Sequence, residues 1–326
     1  MSNIKRIAVF TSGGDAPGMN AAVRSVVRTA SYHDLHVYGI YRGYQGMIDG
    51  DITKLGRGDV ANIIQRGGTV LKTARSQEFM TAEGRQQAYD TLLAHDIDAC
   101  IAIGGNGTFT GAKIFNEEHG IPMIGLPGTI DNDIFGTDYT IGFDTAVNTA
   151  VEAVDRIRDT ADSHNRLFFV EVMGRHSGYI ALHTGISSGS GSIFLPEVDN
   201  DIEGLITQLR KSAKRKKLFN LVIVAEGNQN GGAMEIAAKV NEHYKEYETK
   251  VTIIGHLQRG GSPTASDRLL ASRLGFEAVN QLVKNSDSGA LGIVNGKTKL
   301  TSFEDAIIKS KKPKESLIQM AEILAL

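Results

Sequence analysis

The chain has a single cysteine in 326 residues, so no disulfide can form within it and a reducing compartment is expected. Cys100 sits in the apolar run Ala99-Cys100-Ile101-Ala102-Ile103 and reads as a buried, inert thiol. No charge of one sign dominates. The 35 Lys and Arg stand against 37 Asp and Glu, and a pI near 6.5 gives no general reason to expect nucleic acid. There is no long apolar span, no N-terminal signal pattern, no fixed-period repeat and no low-complexity linker, so a cytoplasmic chain without membrane partners is expected. The commonest nucleotide motifs are missing too. Gly296-Lys297-Thr298 ends like a P-loop but has Leu291 where glycine is required, and Gly105-x-Gly107-x-x-x-Gly111 misses the dinucleotide fingerprint by one residue.

What is present points to an α/β protein. Hydrophobic residues make up 41% of the chain, and its length exceeds that of a single core, so two lobes are expected. Short branched runs recur between helical patterns, at His36–Ile40, Leu167–Val172, Leu221–Ala225, Val251–Ile254 and Leu291–Val294. Such spacing predicts mainly parallel sheets covered on both faces. Lys211, Lys214, Arg215, Lys216 and Lys217 precede one of these runs without interleaved aromatics and read as a solvated helix end.

Two glycine-rich segments follow apolar strands: Thr11-Ser12-Gly13-Gly14-Asp15-Ala16-Pro17-Gly18-Met19-Asn20 and Gly104-Gly105-Asn106-Gly107-Thr108. Each leads into a helix whose positive end favours an anion, and glycine lets backbone amides approach it. A third segment, Pro127-Gly128-Thr129-Ile130-Asp131-Asn132-Asp133-Ile134, carries two carboxylates a residue apart. In an extended run, residues i and i+2 face one side, so Asp131 and Asp133 are expected to point into one cleft. One carboxylate taking a proton while the other holds a metal or its water is the division of labour that phosphoryl transfer needs.

Together with Glu171-Val172-Met173-Gly174-Arg175 and Gly255-His256-Leu257-Gln258-Arg259-Gly260-Gly261-Ser262-Pro263, these segments resemble the bacterial ATP-dependent 6-phosphofructokinase family. The resemblance implies two Rossmann-like lobes, with residues 1–142 and 258–305 binding ATP and residues 143–257 and 306–326 binding fructose 6-phosphate. It implies phosphorylation of that sugar at O1, the committed step of glycolysis. A pyrophosphate-dependent enzyme and an inactive sugar-phosphate-binding paralogue are the alternatives.

The resemblance also distributes roles. Asp131 becomes the general base and contacts the sugar together with Ile130 and Thr129, the last also counted as catalytic. Arg175, which also binds the sugar phosphate, and Gly14, which also binds ATP, face the moving phosphoryl group. Arg75, Ser76, Gly105, Asn106, Gly107 and Thr108 bind ATP. Arg166, Lys250, His256 and Arg259 bind the 6-phosphate, with Met173, Gly174, Glu226, Leu257 and Gln258 around them. Arg166 and Lys250 are supplied by a neighbouring subunit in the family, so a homotetramer is implied. Mg²⁺ falls to Asn106 and Asp133, although the family usually has aspartate at position 106. Arg24, Arg28, Arg57, Arg158 and Lys216 match an ADP or phosphoenolpyruvate effector site, which has Gly191 in place of a family glutamate. Glycine at positions 107 and 128 favours ATP over pyrophosphate as donor.

Overall fold

In the computed structural model of the chain, residues 4–161, 166–214, 219–285 and 287–325 are described. They form two compact units. The first unit opens with β1 (Arg6–Thr11), α1 (Met19–Tyr32), β2 (His36–Ile40), α2 (Gly43–Asp49), β3 (Ile52–Leu55), α3 (Ala82–Ala94), β4 (Ala99–Gly104), α4 (Asn106–His119) and β5 (Met123–Pro127). Helix α5 (Phe143–Ala161) carries the chain into the second unit. There follow β6 (Arg166–Val172), α6 (Tyr179–Ser188), β7 (Ser192–Phe194), α7 (Ile202–Lys214), β8 (Phe219–Ala225), α8 (Ala233–His243) and β9 (Glu248–Ile253). The first unit is then completed by α9 (Ala265–Lys284), β10 (Gly289–Val294), β11 (Lys297–Thr301) and α10 (Phe303–Ile308), and α11 (Glu315–Leu324) belongs to the second.

The sheet of the first unit runs β11-β10-β5-β4-β1-β2-β3, parallel except at its two edges, where β3 and β11 pair antiparallel. Every residue of β4 is buried, as expected for a strand covered on both faces. Burial pushes the Cys100 thiol up to about 12, which makes it a packing residue. The sheet of the second unit is wholly parallel, in the order β7-β8-β6-β9. Leu167, Phe169, Val222 and Val224 of its central strands pack with Leu205 and Leu209 of α7 and Ile236 and Val240 of α8.

The crossings between units fall at Thr145/Ala146, Gln258/Arg259 and Lys311/Lys312, and Asp131–Asp133 group with the second unit. The sequence boundaries of 142/143, 257/258 and 305/306 therefore shift by three, one and six residues, for local reasons. Asp267 holds Thr145 in the first unit, accepting hydrogen bonds from the backbone N–H of Gly142 (2.8 Å) and of Thr145 (2.8 Å) and from Thr145 Oγ1 (2.5 Å). Lys311 Nζ donates to the Asp138 carbonyl. The Asp131 carbonyl accepts a hydrogen bond from Ser177 of the second unit.

Asp267 is 1% exposed, and burial pushes its carboxyl up to about 6, against the opposing pull of its donors. The folded protein thus binds this proton more tightly than the unfolded chain, and the ionised form costs up to about 3 kcal/mol of stability. The contribution is most favourable below about pH 4 and declines as pH rises toward about 6. Chemical denaturation of the wild type and Asp267→Asn should show a stability difference that shrinks over that interval. A pH-independent difference would refute it.

Candidate active site

The two glycine loops meet inside the first unit. Ser12 N–H donates to the Ile103 carbonyl at 3.0 Å, and Thr108 Oγ1 donates to the Ser12 carbonyl at 3.2 Å. A Cβ on Gly104 would collide with both Ser12 O and Thr108 Oγ1, so glycine there is a packing requirement of this junction. Gly105 caps α4 without a side-chain hydrogen bond, so α4 begins at Asn106 with its positive end unscreened by any capping side chain. A Cβ at Gly107 would meet nothing within 4 Å. Gly128 differs: a Cβ there would lie 3.0 Å from Ile103 and Met19, so its glycine answers to packing and only Gly107 borders open space.

Arg259 also belongs to this unit. Its guanidinium lies where a side chain at Gly14 would sit, 2.8 Å from the Cβ position, and Nη1 is 3.5 Å from the Asp15 carbonyl. Arg75 is exposed. Ser76 next to it donates its hydroxyl to Gln45 Oε1 at 2.8 Å and accepts from Phe79 N–H. Thr129 is held through its carbonyl by Thr140 Oγ1 at 2.6 Å, and Ile130 is fully buried.

The Asp131–Asp133 run corrects one expectation. It is not extended: Asn132 has φ 52, in the left-handed region, so strand alternation does not relate the two carboxylates. Asparagine tolerates this conformation because its short amide bonds locally. Asp131 is 6% exposed, Asn132 is buried and Asp133 half-buried.

In the second unit, β6 leads into the loop Met173–Gly178, and five of its six N–H groups have fixed acceptors. Met173 donates to Gln258 Oε1 (2.9 Å), and Gly174 (3.3 Å) and Arg175 (2.8 Å) donate to Glu226 Oε1. Ser177 N–H donates to the Gly174 carbonyl and Gly178 N–H to Glu197 Oε1, both at 2.8 Å. Arg175 sits at φ 52 and is exposed, while Ser177 is buried. A side chain at Gly227 would strike the Arg175 carbonyl. Gln258 is fully buried and reaches the site through Met173, whereas His256 and Leu257 are exposed. Burial raises the Glu197 carboxyl above its ordinary value, opposed by the Gly178 N–H bond.

Arg166 and Lys250 lie at the other end of the same sheet. Both pair with Glu248, Arg166 Nε at 2.9 Å and Lys250 Nζ at 2.5 Å, and these cations, Lys250 first, hold the Glu248 carboxyl below its ordinary value. Met173 directly follows the 7 residues of β6, of which Arg166 is the first, a separation of roughly 23 Å at about 3.3 Å per residue.

Of the effector positions, Arg24 and Arg28 lie one turn apart on α1, and Arg57 is exposed after β3. Arg158 lies on α5 with Nη2 4.0 Å from the Cβ position of Gly189. Gly191 N–H donates to the Leu221 carbonyl at 3.0 Å. Lys216 lies outside the described residues, as do Arg215 and Lys217. Lys211 and Lys214 are exposed in the last turn of α7.

The sequence profile of the phosphofructokinase family matches residues 6–282. The chain belongs to that family. It is 56% identical to ATP-dependent 6-phosphofructokinase 1 of Thermus thermophilus, over 99% of this chain and 100% of that protein. With the ATP-dependent 6-phosphofructokinase of Cytophaga hutchinsonii it shares 51% identity over 98% of each. Among solved phosphofructokinases, that of Saccharomyces cerevisiae superposes with a TM-score of 0.87 at 39% identity, covering 93% of this chain and 45% of the yeast chain. This chain therefore spans about half the length of the yeast one. The pyrophosphate-dependent phosphofructokinase of Marinobacter aquaeolei superposes with a TM-score of 0.83 at 23% identity over 95% of this chain and 86% of that one, a likeness of fold alone. Neither Ser177 nor Asp267 stood out in the sequence. Ser177 owes its place to a partner 46 residues earlier, and Asp267 follows Thr264 in a helix-capping pattern that says nothing of Gly142 or Thr145.

Proposed function

We propose that the chain transfers the γ-phosphoryl group of ATP to O1 of D-fructose 6-phosphate, giving fructose 1,6-bisphosphate and ADP, the committed step of glycolysis in the cytoplasm. The observation that carries this reading is the braced loop of the second unit, which presents Arg175 on a left-handed turn and holds the backbone of Asp131 through Ser177. The names of the bacterial relatives support it.

The Asp131 carboxylate takes the proton of the 1-hydroxyl as O1 bonds to the γ-phosphorus and the bond to the bridging oxygen of ADP breaks. The Arg175 guanidinium and the Gly14 N–H stabilise charge on the equatorial oxygens. Arg75, Ser76 and the segment Gly105–Thr108 hold the nucleotide, and the room beside Gly107 favours ATP over pyrophosphate. Thr129, Met173, Gly174, Glu226, His256, Leu257 and Arg259 hold the sugar phosphate. If Arg166 and Lys250 grip the 6-phosphate as well, they must come from a second copy, because they stand at the opposite end of the sheet from Met173. This supports a homotetramer. Arg24, Arg28, Arg57 and Arg158 would bind the phosphates of ADP or phosphoenolpyruvate, without a carboxylate at Gly191 for the effector's cation.

Among the described residues, no three His, Cys, Asp or Glu side chains gather into a metal cage. That donor set fits Mg²⁺ carried in on ATP, since Mg²⁺ usually keeps waters and uses few protein ligands besides phosphates. Asn106 and Asp133 would hold the ion, which would supply positive charge beside the transferred phosphoryl group. Asn106→Asp adds a harder, charged oxygen ligand and should lower the Mg²⁺ midpoint at saturating substrates with KM for fructose 6-phosphate almost unchanged. An unmoved midpoint would remove Asn106 from the metal.

The neutral amide at position 106 also favours a second reading, a sugar-phosphate sensor without turnover. A coupled assay with fructose 6-phosphate, Mg²⁺ and either ATP or pyrophosphate separates the alternatives. ATP-dependent formation of the bisphosphate is expected. Calorimetric binding of the sugar phosphate with no product would favour the sensor.

A further inference from the structure

The sequence gives Ser177 no role, yet it is 5% exposed and its hydroxyl donates to the Asp131 carbonyl at 2.7 Å. Its own N–H closes a turn onto the Gly174 carbonyl at 2.8 Å. Between those anchors lies Arg175, held at φ 52 by Glu226 Oε1. The next residue after Ser177 is fixed by Glu197, so the hydroxyl projects from a turn secured on both sides. Asp131 in turn precedes the left-handed Asn132, so the backbone turns just after the carbonyl that Ser177 holds.

We propose that Ser177 is a positioning residue for phosphoryl transfer, its hydroxyl locking the backbone of Asp131 to the loop that carries Arg175. The inference rests on the reading of Asp131 as base and Arg175 as the residue that stabilises the transferred group. Without the bond, each remains in place chemically but loses its common frame. Misplacement of reacting groups by about 1 Å is enough to cost a hundredfold in rate. Met173 and Gly174 keep their own hydrogen bonds to Gln258 and Glu226 in these variants, so the loss falls on kcat.

The test uses the full chain with three variants. Ser177→Ala removes the donor, and Ser177→Cys keeps a side chain of similar size with a weaker donor. Steady-state kinetics should show kcat falling about ten- to hundredfold in Ser177→Ala and by a smaller factor in Ser177→Cys, with both KM values within about twofold of wild type. Thermal melting of each variant separates this from loss of fold, because a packing role alone would lower Tm without ordering kcat by donor strength. If the alanine variant does not fold, the cysteine variant carries the test. Wild-type kcat in whichever of these variants fold would overturn the proposal. Asp131→Asn is measured beside them. Its failure to lower kcat would overturn the reading of the base, whereas a large loss there with wild-type kcat at Ser177→Ala overturns the Ser177 proposal alone.

Discussion

Asp131→Asn should lower kcat by at least about a hundredfold while leaving the fold intact, because an oriented general base contributes about a hundredfold to ten-thousandfold. The asparagine has nearly the same shape and leaves the carbonyl that accepts from Ser177 untouched. Circular dichroism should therefore match the wild type. The substitution removes only the capacity to accept the 1-hydroxyl proton, so KM for ATP should change little. Near-wild-type kcat in the variant would remove Asp131 as the base.

Arg175→Ala should cost a similar factor, about a hundredfold to a thousandfold in kcat, the scale seen when a fixed donor to developing charge is deleted. The side chain is exposed and no ion pair holds it among the described residues, so little stability is at stake. Its backbone is another matter. Alanine must keep φ 52, which is costly for a residue with a Cβ, although arginine already bears that strain. The decisive comparison is Arg175→Lys, which keeps the charge and loses the planar fork. Recovery of most of the activity by lysine would show that charge alone suffices at this position. A loss in lysine close to that in alanine is expected.

Much of this was legible in the chain before folding. The branched runs at residues 36–40, 167–172, 221–225, 251–254 and 291–294 fall in β2, β6, β8, β9 and β10; a central strand such as β6 is apolar because it is covered on both faces, whereas β9 is an edge strand that is only partly covered. Lys297-Thr298-Lys299-Leu300-Thr301 and Ile52-Thr53-Lys54-Leu55 went unread as strands because they form edges, where lysine and threonine face water and the apolar run disappears. The glycine loops announced themselves through composition, but their junction at Ser12 and Thr108 joins residues 96 apart and could not be read there. The braces at Glu226, Glu197 and Ser177 did not, since each joins segments 19 to 52 residues apart. Strand alternation misled at Asn132, where one left-handed residue breaks the period.

The strand order of the first unit has a consequence during synthesis. The strand β5, buried along its whole length in the finished protein, pairs on one side with β4 and on the other with β10, through Gly289 opposite Ile124. More than a hundred and fifty residues separate those partners. Until the ribosome has delivered Gly289–Val294, the backbone amides and carbonyls along that side of Met123–Pro127 have no strand to meet, and an apolar edge stands open to other nascent chains. The sheet of the second unit, by contrast, has all four of its strands once Ile253 emerges. Of the two sheets the N-terminal one therefore closes last, and the interval before that closure is when a chaperone has most to protect.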